Sequence, residues 1–237
     1  MTSSSSDHSS RDVVFASVRR ALGVNGAEAP RRQAVADRIA GHPEGVIPAR
    51  AQLPADEQIA LFKAMVEAAA ATLVHLPDAA AVPGAVAAYL RARNLPMSIL
   101  RGADPRLAGL PWQDEPALDV WIGPSDGRQL AGLSHAFAGI AESGTVVMLS
   151  GPDNPSTLNL LPDHHLVVVD ARDVTGTYEE VWTRIRAAYG PGTLPRTVNW
   201  ITGPSRSADI EQTLLLGAHG PRSLHVLLVG EMPAGEA

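Results

Sequence analysis

Alternating strand and helix signals predict an α/β protein: a three-layer α/β/α sandwich around a mostly parallel sheet, preceded by an N-terminal helical arm. Three observations lead there. Short runs such as TLVHL, PMSIL, LDVWIG, TVVML, LVVVD, VNWIT and LHVLLVG are rich in branched apolar residues and bounded by Gly, Pro or Asp. Unbroken runs of this kind suit strands covered on both faces. Helical candidates separate most of them, and strands alternating with helices imply parallel pairing. The third observation is size: 237 residues, 45% hydrophobic and 19% charged, are enough for one medium domain carrying an arm.

The opening MTSSSSDHSS has no apolar core of the signal-peptide kind and is too polar to order itself, so residues 1–10 are expected to be a disordered tail. Residues 11–55 read as arm and linker. RDVVFASVRRAL sets Val14, Phe15, Val18 and Leu22 at helical spacing with arginines opposite, and Gly23 to Pro54 reads as an extended connection. An apolar stripe of that kind is expected to dock on the domain or on a partner. The α/β domain then occupies residues 56–237. Helices are expected over Asp56–Ala71, Ala79–Arg93, Arg128–Ile140, Tyr178–Tyr189 and Ala208–Leu216. The Tyr178 helix opens with a capping box, in which Thr177 bonds a free amide and Glu180 reaches back. In such sheets, ligands collect beyond the carboxyl ends of the strands.

Composition removes several function classes. With Cys 0, these residues supply no disulfide, cysteine nucleophile, thiolate zinc site or iron–sulfur ligand. A net charge of −6 argues against nucleic-acid binding, which needs a basic face. No apolar run approaches the roughly 20 residues of a membrane span, and the expected location is the cytoplasm. Lys63 is the one lysine among 19 Lys and Arg residues, and no glycine-rich loop accompanies it, which disfavours a Walker-type NTPase.

Two segments carry the chemistry. In ITGPSRSADIEQTLLLGAHGP, a strand runs through a Gly-Pro turn into an expected helix. Ser205 or Ser207 can cap that helix, and Arg206 adds a positive fork suited to carboxylate or phosphate. The plainer reading is that the serines only cap while Asp209 and Glu211 complement the helix dipole. In AESGTVVMLSGPDNPSTLNLLPDHH, Glu142 precedes a strand and Ser150, Gly151 and Asn154 follow it. Glu142 is either a general base, nucleophile or ligand anchor, or a solvated loop carboxylate. Asn154 before Pro155 either serves the site or starts a turn. The expected site gathers the GPSR turn, the SGP turn and Glu142 at one edge of the sheet. Glu142 and His219 are its catalytic candidates, and Thr145, Ser150, Asn154, Ser205, Arg206, Asp209 and Glu211 its ligand-binding candidates, around a small anion.

His164 and His165 point to opposite faces of a strand, so one metal ion does not easily take both, and no metal site is expected. Gly123-Pro-Ser125-Asp-Gly127 matches the GxSxG nucleophile pattern, but Pro-Ser-Asp-Gly is also an ordinary turn. Trp112, Trp121, Trp182 and Trp200 are expected to pack rather than to form a stacking platform.

Through ESGT, the SGP-N-P turn, GPSR-ADIE and the HGP loop, the chain resembles the LUD-domain family, within it the lactate utilization protein C group. The resemblance is dense in the C-terminal half and looser back to about residue 60. It implies a fold of the NagB/RpiA/CoA-transferase-like superfamily, which also includes the formyltetrahydrofolate cyclo-ligases. It further implies a non-redox role in a three-protein system that oxidises L-lactate to pyruvate. The iron–sulfur clusters would then sit on partner subunits, in keeping with the absence of cysteine here. Glu142-Ser143-Gly144 is also similar to the catalytic glutamate segment of CoA transferases. A free-standing transferase or isomerase acting on a carboxylate or phosphate is therefore the alternative.

Overall fold

The computed structural model describes residues 9–207 and 215–231, and the chain divides into two units, Met1–Val46 and Ile47–Ala237. In the first unit Ser9 caps α1 (Ser10–Leu22) by accepting from the Asp12 amide, and Gly23 ends it in the left-handed region at φ 64°. The helix thus takes in the end of the polar opening. The stretch after it is not extended throughout. Pro30 sits in the first turn of α2 (Ala29–Gly41), where proline's fixed φ and missing N–H suit a helix start. Neither helix has a buried residue: Phe15 is 44% exposed and Leu22 66%.

The second unit opens with α3 (Ala55–Ala68), and its main sheet is six-stranded and parallel, with helices on both sides. β1 (Thr72–Leu76) leads through α4 (Val82–Ala92) to β2 (Ser98–Arg101), and α5 (Pro105–Ala108) leads to β3 (Asp119–Ile122). β4 is Ala131–His135. A smaller sheet follows in β5 (Ala138–Ile140) and β6 (Thr145–Leu149), after which α6 (Ser156–Leu160) returns the chain to β7 (His164–Asp170) of the main sheet. β8 (Val174–Thr175), α7 (Tyr178–Tyr189) and β9 (Val198–Ile201) complete the smaller sheet and its cover. A ribbon of β10 (Arg206–Ser207) and β11 (Leu215–Leu216) precedes β12 (Ser223–Val229). The main order is β1-β12-β7-β4-β2-β3 and the smaller one β8-β5-β6-β9.

Side-chain alternation explains the layers. On β7 and β12, Leu166, Val168, Leu227 and Val229 face α4 and α5, packing with Val82, Val86, Leu90 and Leu107. Val167, Val169, Leu224, Val226 and Leu228 face the other way, toward α3 and the smaller sheet, where they meet Phe62, Val66, Val146 and Met148. The smaller sheet turns Ile140 and Val147 outward to Val181 and Ile185 of α7. The capping box is formed: Thr177 Oγ1 accepts from the Glu180 amide at 3.2 Å and Glu180 Oε2 from the Thr177 amide at 2.9 Å.

Several expectations are corrected. Arg128–Ile140 contains β4 and β5 rather than a helix. Gly132 lies where a Cβ would sit 2.9 Å from Pro162 and Gly139 where one would sit 3.0 Å from Phe62, so these small residues serve close packing of sheet on neighbour. TVVML and VNWIT are strands, but they pair antiparallel to each other in the smaller sheet. Trp121, on edge strand β3, is 62% exposed. Of the expected Ala208–Leu216 helix, residues 208–214 lie outside the described ones, and Leu215–Leu216 pairs antiparallel with Arg206–Ser207. The Gly217 amide donates to the Ser205 carbonyl at 3.0 Å, which closes this ribbon. Among the described residues, no helix is long and apolar enough to cross a membrane.

Candidate functional site

The C-terminal end of α3 is a platform for both sequence motifs. Gly144 of the ESGT turn, at φ +66°, rests so closely on α3 that a Cβ there would lie 2.4 Å from the Val66 amide nitrogen. Gly203 of the GPSR turn, at φ +73°, would place one 2.2 Å from the Ala69 carbonyl oxygen. Only glycine fits these approaches. Arg206 donates to that same Ala69 carbonyl, setting a cation at the negative end of the helix.

Glu142 is buried, and its Oε1 accepts from the Tyr178 amide at 3.0 Å, so its carboxylate stands at the N-terminus of α7. Next to it is a hydroxyl cluster. The Tyr178 hydroxyl is 2.9 Å from both Ser143 Oγ and Thr145 Oγ1, and Thr145 Oγ1 is 2.6 Å from Thr202 Oγ1. Thr202 belongs to the rim of a cavity of about 300 Å³, which Ser205, Arg206 and His219 also line. The Ser205 amide donates to the Pro221 carbonyl at 2.8 Å, and Ser205 Oγ accepts from the His219 amide at 3.3 Å, tying the GPSR and HGP loops together.

Asn159 and His165, both fully buried, also line this cavity. Ser134 Oγ donates to Asn159 Oδ1 at 2.8 Å and lies 3.1 Å from His165 Nε2. A hydroxyl has one proton, so His165 Nε2 is the donor and Nδ1 carries a lone pair. Burial pushes the His165 pKa down to about 3, so the ring is neutral. His165 Nδ1 and Asn159 Nδ2 are both buried without a hydrogen-bond partner among the described residues. A buried unsatisfied polar atom costs about 1–3 kcal/mol. Two residues that line the cavity therefore hold an unused acceptor and an unused donor, both closed off from solvent.

The structure separates other candidates from this cavity. Ser150 Oγ accepts from the Thr197 amide at 2.8 Å, and Asn154 Nδ2 donates to the Leu149 carbonyl at 3.0 Å, at the far end of β6 from Thr145. The SGP turn is thus not brought to the GPSR turn. Gly102 packs against it, where a Cβ would be 2.0 Å from the Asp153 carbonyl oxygen. Asp209 and Glu211 lie outside the described residues. His164 and His165 do face opposite ways: His164 Nδ1 is 3.0 Å from the Tyr89 hydroxyl, on the α4 side. Ser125 Oγ donates to Gln129 at 2.8 Å and accepts from the Gly127 amide at 3.1 Å, a turn rather than a nucleophile elbow.

The cavity also lies elsewhere than expected. His165 and Leu224 are second in β7 and β12, so it opens at the amino ends of those strands. At their carboxyl ends, sequence reasoning missed a separate charged cleft of about 190 Å³, with His135, Asp170, Arg106 and Arg172. Asp104 grips Arg106 through two bonds, Nε to Oδ1 at 3.0 Å and NH2 to Oδ2 at 2.7 Å. Burial opposes the charged form of Asp104, but the bonds from Arg106 outweigh it and hold the carboxyl below its ordinary pKa. The available signal was a polar residue closing each of two buried runs, AGLSH and LVVVD; reading 128–140 as helix concealed His135.

Residues 127–229 match the family model of the LUD domain. The chain is 37% identical over 101 residues to lactate utilization protein C of Bacillus subtilis, spanning 42% of each chain. It is 32% identical over 145 residues to the protein of that name from Exiguobacterium, covering 56% of this chain and 62% of the relative. The Shouchella clausii protein of the same name is 29% identical over 123 residues, covering 49% and 54%. The chain spans about half the length of the curated relatives it matches. A crystal structure of a DUF162 family protein from Deinococcus radiodurans is similar with a TM-score of 0.55 and 26% identity, over 75% of this chain and 99% of that one. The resemblance and the α/β fold drawn from the sequence are borne out.

Proposed function

We propose that this chain, whose residues 127–229 match the LUD domain, acts in lactate utilization as a non-redox subunit that binds a small carboxylate or phosphate anion. The observation that carries this reading is the cavity that Arg206, Ser205 and His219 line together with Asn159 and His165, each of which holds a buried nitrogen without a partner among the described residues. Arg206 gives one N–H to the Ala69 carbonyl, and a guanidinium has five. The Arg206 side chain is exposed, so an anion can approach it from solvent. Asn159 supplies a neutral donor deeper in the wall and His165 an acceptor, a set suited to a short acid with a second polar group. Electron transfer falls to partners. With no cysteine in these 237 residues, thiolate-held clusters must come from other subunits, and iron–sulfur lactate utilization proteins are the partners we assign.

The test is lactate-dependent growth of a host lacking the gene, complemented with the full chain or with Arg206→Ala. Growth on lactate is expected to fall with the variant while growth on glucose and protein abundance stay unchanged. Co-purification of cysteine-rich, iron-containing partners with both forms is expected. Normal growth with Arg206→Ala, or purification without iron-bearing partners, contradicts this function.

A further inference from the structure

The charged cleft at the carboxyl ends of the main sheet shares no lining residue with the Arg206 cavity, so its chemistry is independent of the anion site there. His135 closes β4, Asp170 closes the adjacent β7, and Asp104 and Arg106 follow neighbouring β2. Parallel sheets place binding groups at this end. His135 Nδ1 lies 3.0 Å from the Ala136 carbonyl oxygen, which can only accept, so Nδ1 carries the proton and Nε2 a lone pair. Burial holds the ring's pKa below its ordinary value, with Arg106 adding to the effect, so the neutral form prevails near pH 7. Nε2 then faces Asp170 Oδ2 across 3.6 Å, two acceptors without a hydrogen bond between them. An ammonium placed beside them can donate to both, and a hydroxyl to one of them. Arg172, 3.7 Å from Asp170 and 83% exposed, brings a guanidinium to the cleft's open side, while Leu107, Leu110 and Val168 form an apolar wall. The volume is below that of drug-sized pockets, so the ligand is short.

We propose that this cleft binds a small carboxylate with a hydrogen-bond donor on the carbon beside it, a 2-hydroxy or 2-amino acid. A 2-ammonium donates to both His135 Nε2 and Asp170, a 2-hydroxyl gives its one proton to either of them, and the carboxylate meets Arg172 and Arg106. A 2-oxo acid offers only acceptors to the His135–Asp170 pair and is disfavoured.

The test follows the ring nitrogens of His135 by NMR in the ¹⁵N-labelled full chain, with its signals assigned by their loss in His135→Gln. L-Lactate, L-alanine, pyruvate and acetate are titrated separately. The free protein should show the Nδ1–H tautomer. L-Lactate or L-alanine should shift the Nε2 signal, whichever is tighter naming the donor as hydroxyl or ammonium, and pyruvate and acetate should bind at least tenfold more weakly. Asp170→Asn, whose amide itself donates to Nε2, should weaken the response at least tenfold. Arg172→Ala, at an exposed position, should weaken it several-fold in a chain that folds normally, and Arg206→Ala should leave it unchanged. Equal response to pyruvate, no response to lactate or alanine, or a response lost in Arg206→Ala but kept in Arg172→Ala overturns the proposal.

Discussion

Buried histidines make this chain's stability depend on pH in one direction. Burial pushes His165 down to about 3, and burial together with Arg93 pushes His225 down to about 4. Both are neutral in the fold but take a proton in the unfolded chain below about pH 6.5. As pH falls from about 6.5 toward 4, the unfolded state binds protons that the folded state refuses. Stability then drops by up to about 1.4 kcal/mol per pH unit for each histidine, and above 6.5 this contribution is flat. Urea midpoints at pH 7.5, 6.5, 5.5 and 4.5 should be level across the first pair and fall across the rest; a midpoint unchanged at pH 4.5 refutes the burial argument. Gly144 gives the second expectation at this scale. Alanine there adopts φ +66° at a cost of about 1–2 kcal/mol, and its Cβ meets the α3 backbone at 2.4 Å. Gly144→Ala should therefore cost more than about 2 kcal/mol by chemical denaturation, and a loss under about 1 kcal/mol would show that the turn does not rest on α3 as described.

At the scale of elements, α7 joins two functions of one helix start. Thr177 and Glu180 cap it reciprocally, and Glu142 caps it from the neighbouring turn. Thr177→Ala should cost about 1 kcal/mol. Glu142→Gln keeps an oxygen for the Tyr178 amide and gives up only the charge at the helix dipole, so it should cost less than about 1 kcal/mol. Equilibrium unfolding of both variants checks the order, and a larger loss for Glu142→Gln would place the carboxylate's charge, rather than its hydrogen bond, at the centre of this junction. These elements also show what could be read beforehand. LVVVD and LHVLLVG announced themselves because parallel strands buried on both faces must be apolar throughout. The capping box was readable because it is local, four consecutive residues meeting one another. β4 and β5 were not: AGLSH and AGI carry small residues selected by close packing against α6, Pro162 and Phe62, contacts distant in sequence. The smaller sheet was missed for a related reason, since its strands have the same apolar character as the main ones and only pairing distinguishes them.

For the whole molecule, the parallel sheet has a polar cavity at each end. The motif-bearing loops converge at the amino ends of β7 and β12, and the cleft of His135 and Asp170 opens at the carboxyl ends of β4 and β7. GPSR and HGP were legible as a site because glycine, proline and arginine clustered there at turn spacing. The convergence of Asn159 and His165 was not, because it arises from α6 folding back over β4, with Ser134 as the link between them. The SGP turn looked equivalent in sequence and instead braces Gly102, as it follows the five-residue strand β6 at the end opposite Thr145.

Binding of a small anion by Arg206 and its cavity is open to calorimetric titration of the full chain with pyruvate and with inorganic phosphate. Pyruvate lacks the donor group that the His135 cleft requires, so its binding reports on the Arg206 cavity, and phosphate, which carries hydroxyls near neutral pH, is assigned there by its response to Arg206→Ala. Saturable binding of at least one of them is expected. Arg206→Ala should weaken it at least tenfold, with stability changed by less than about 1 kcal/mol, as befits one exposed polar contact. Binding of equal strength to Arg206→Ala, or no binding of either anion to the unaltered chain, would contradict an anion site in this cavity.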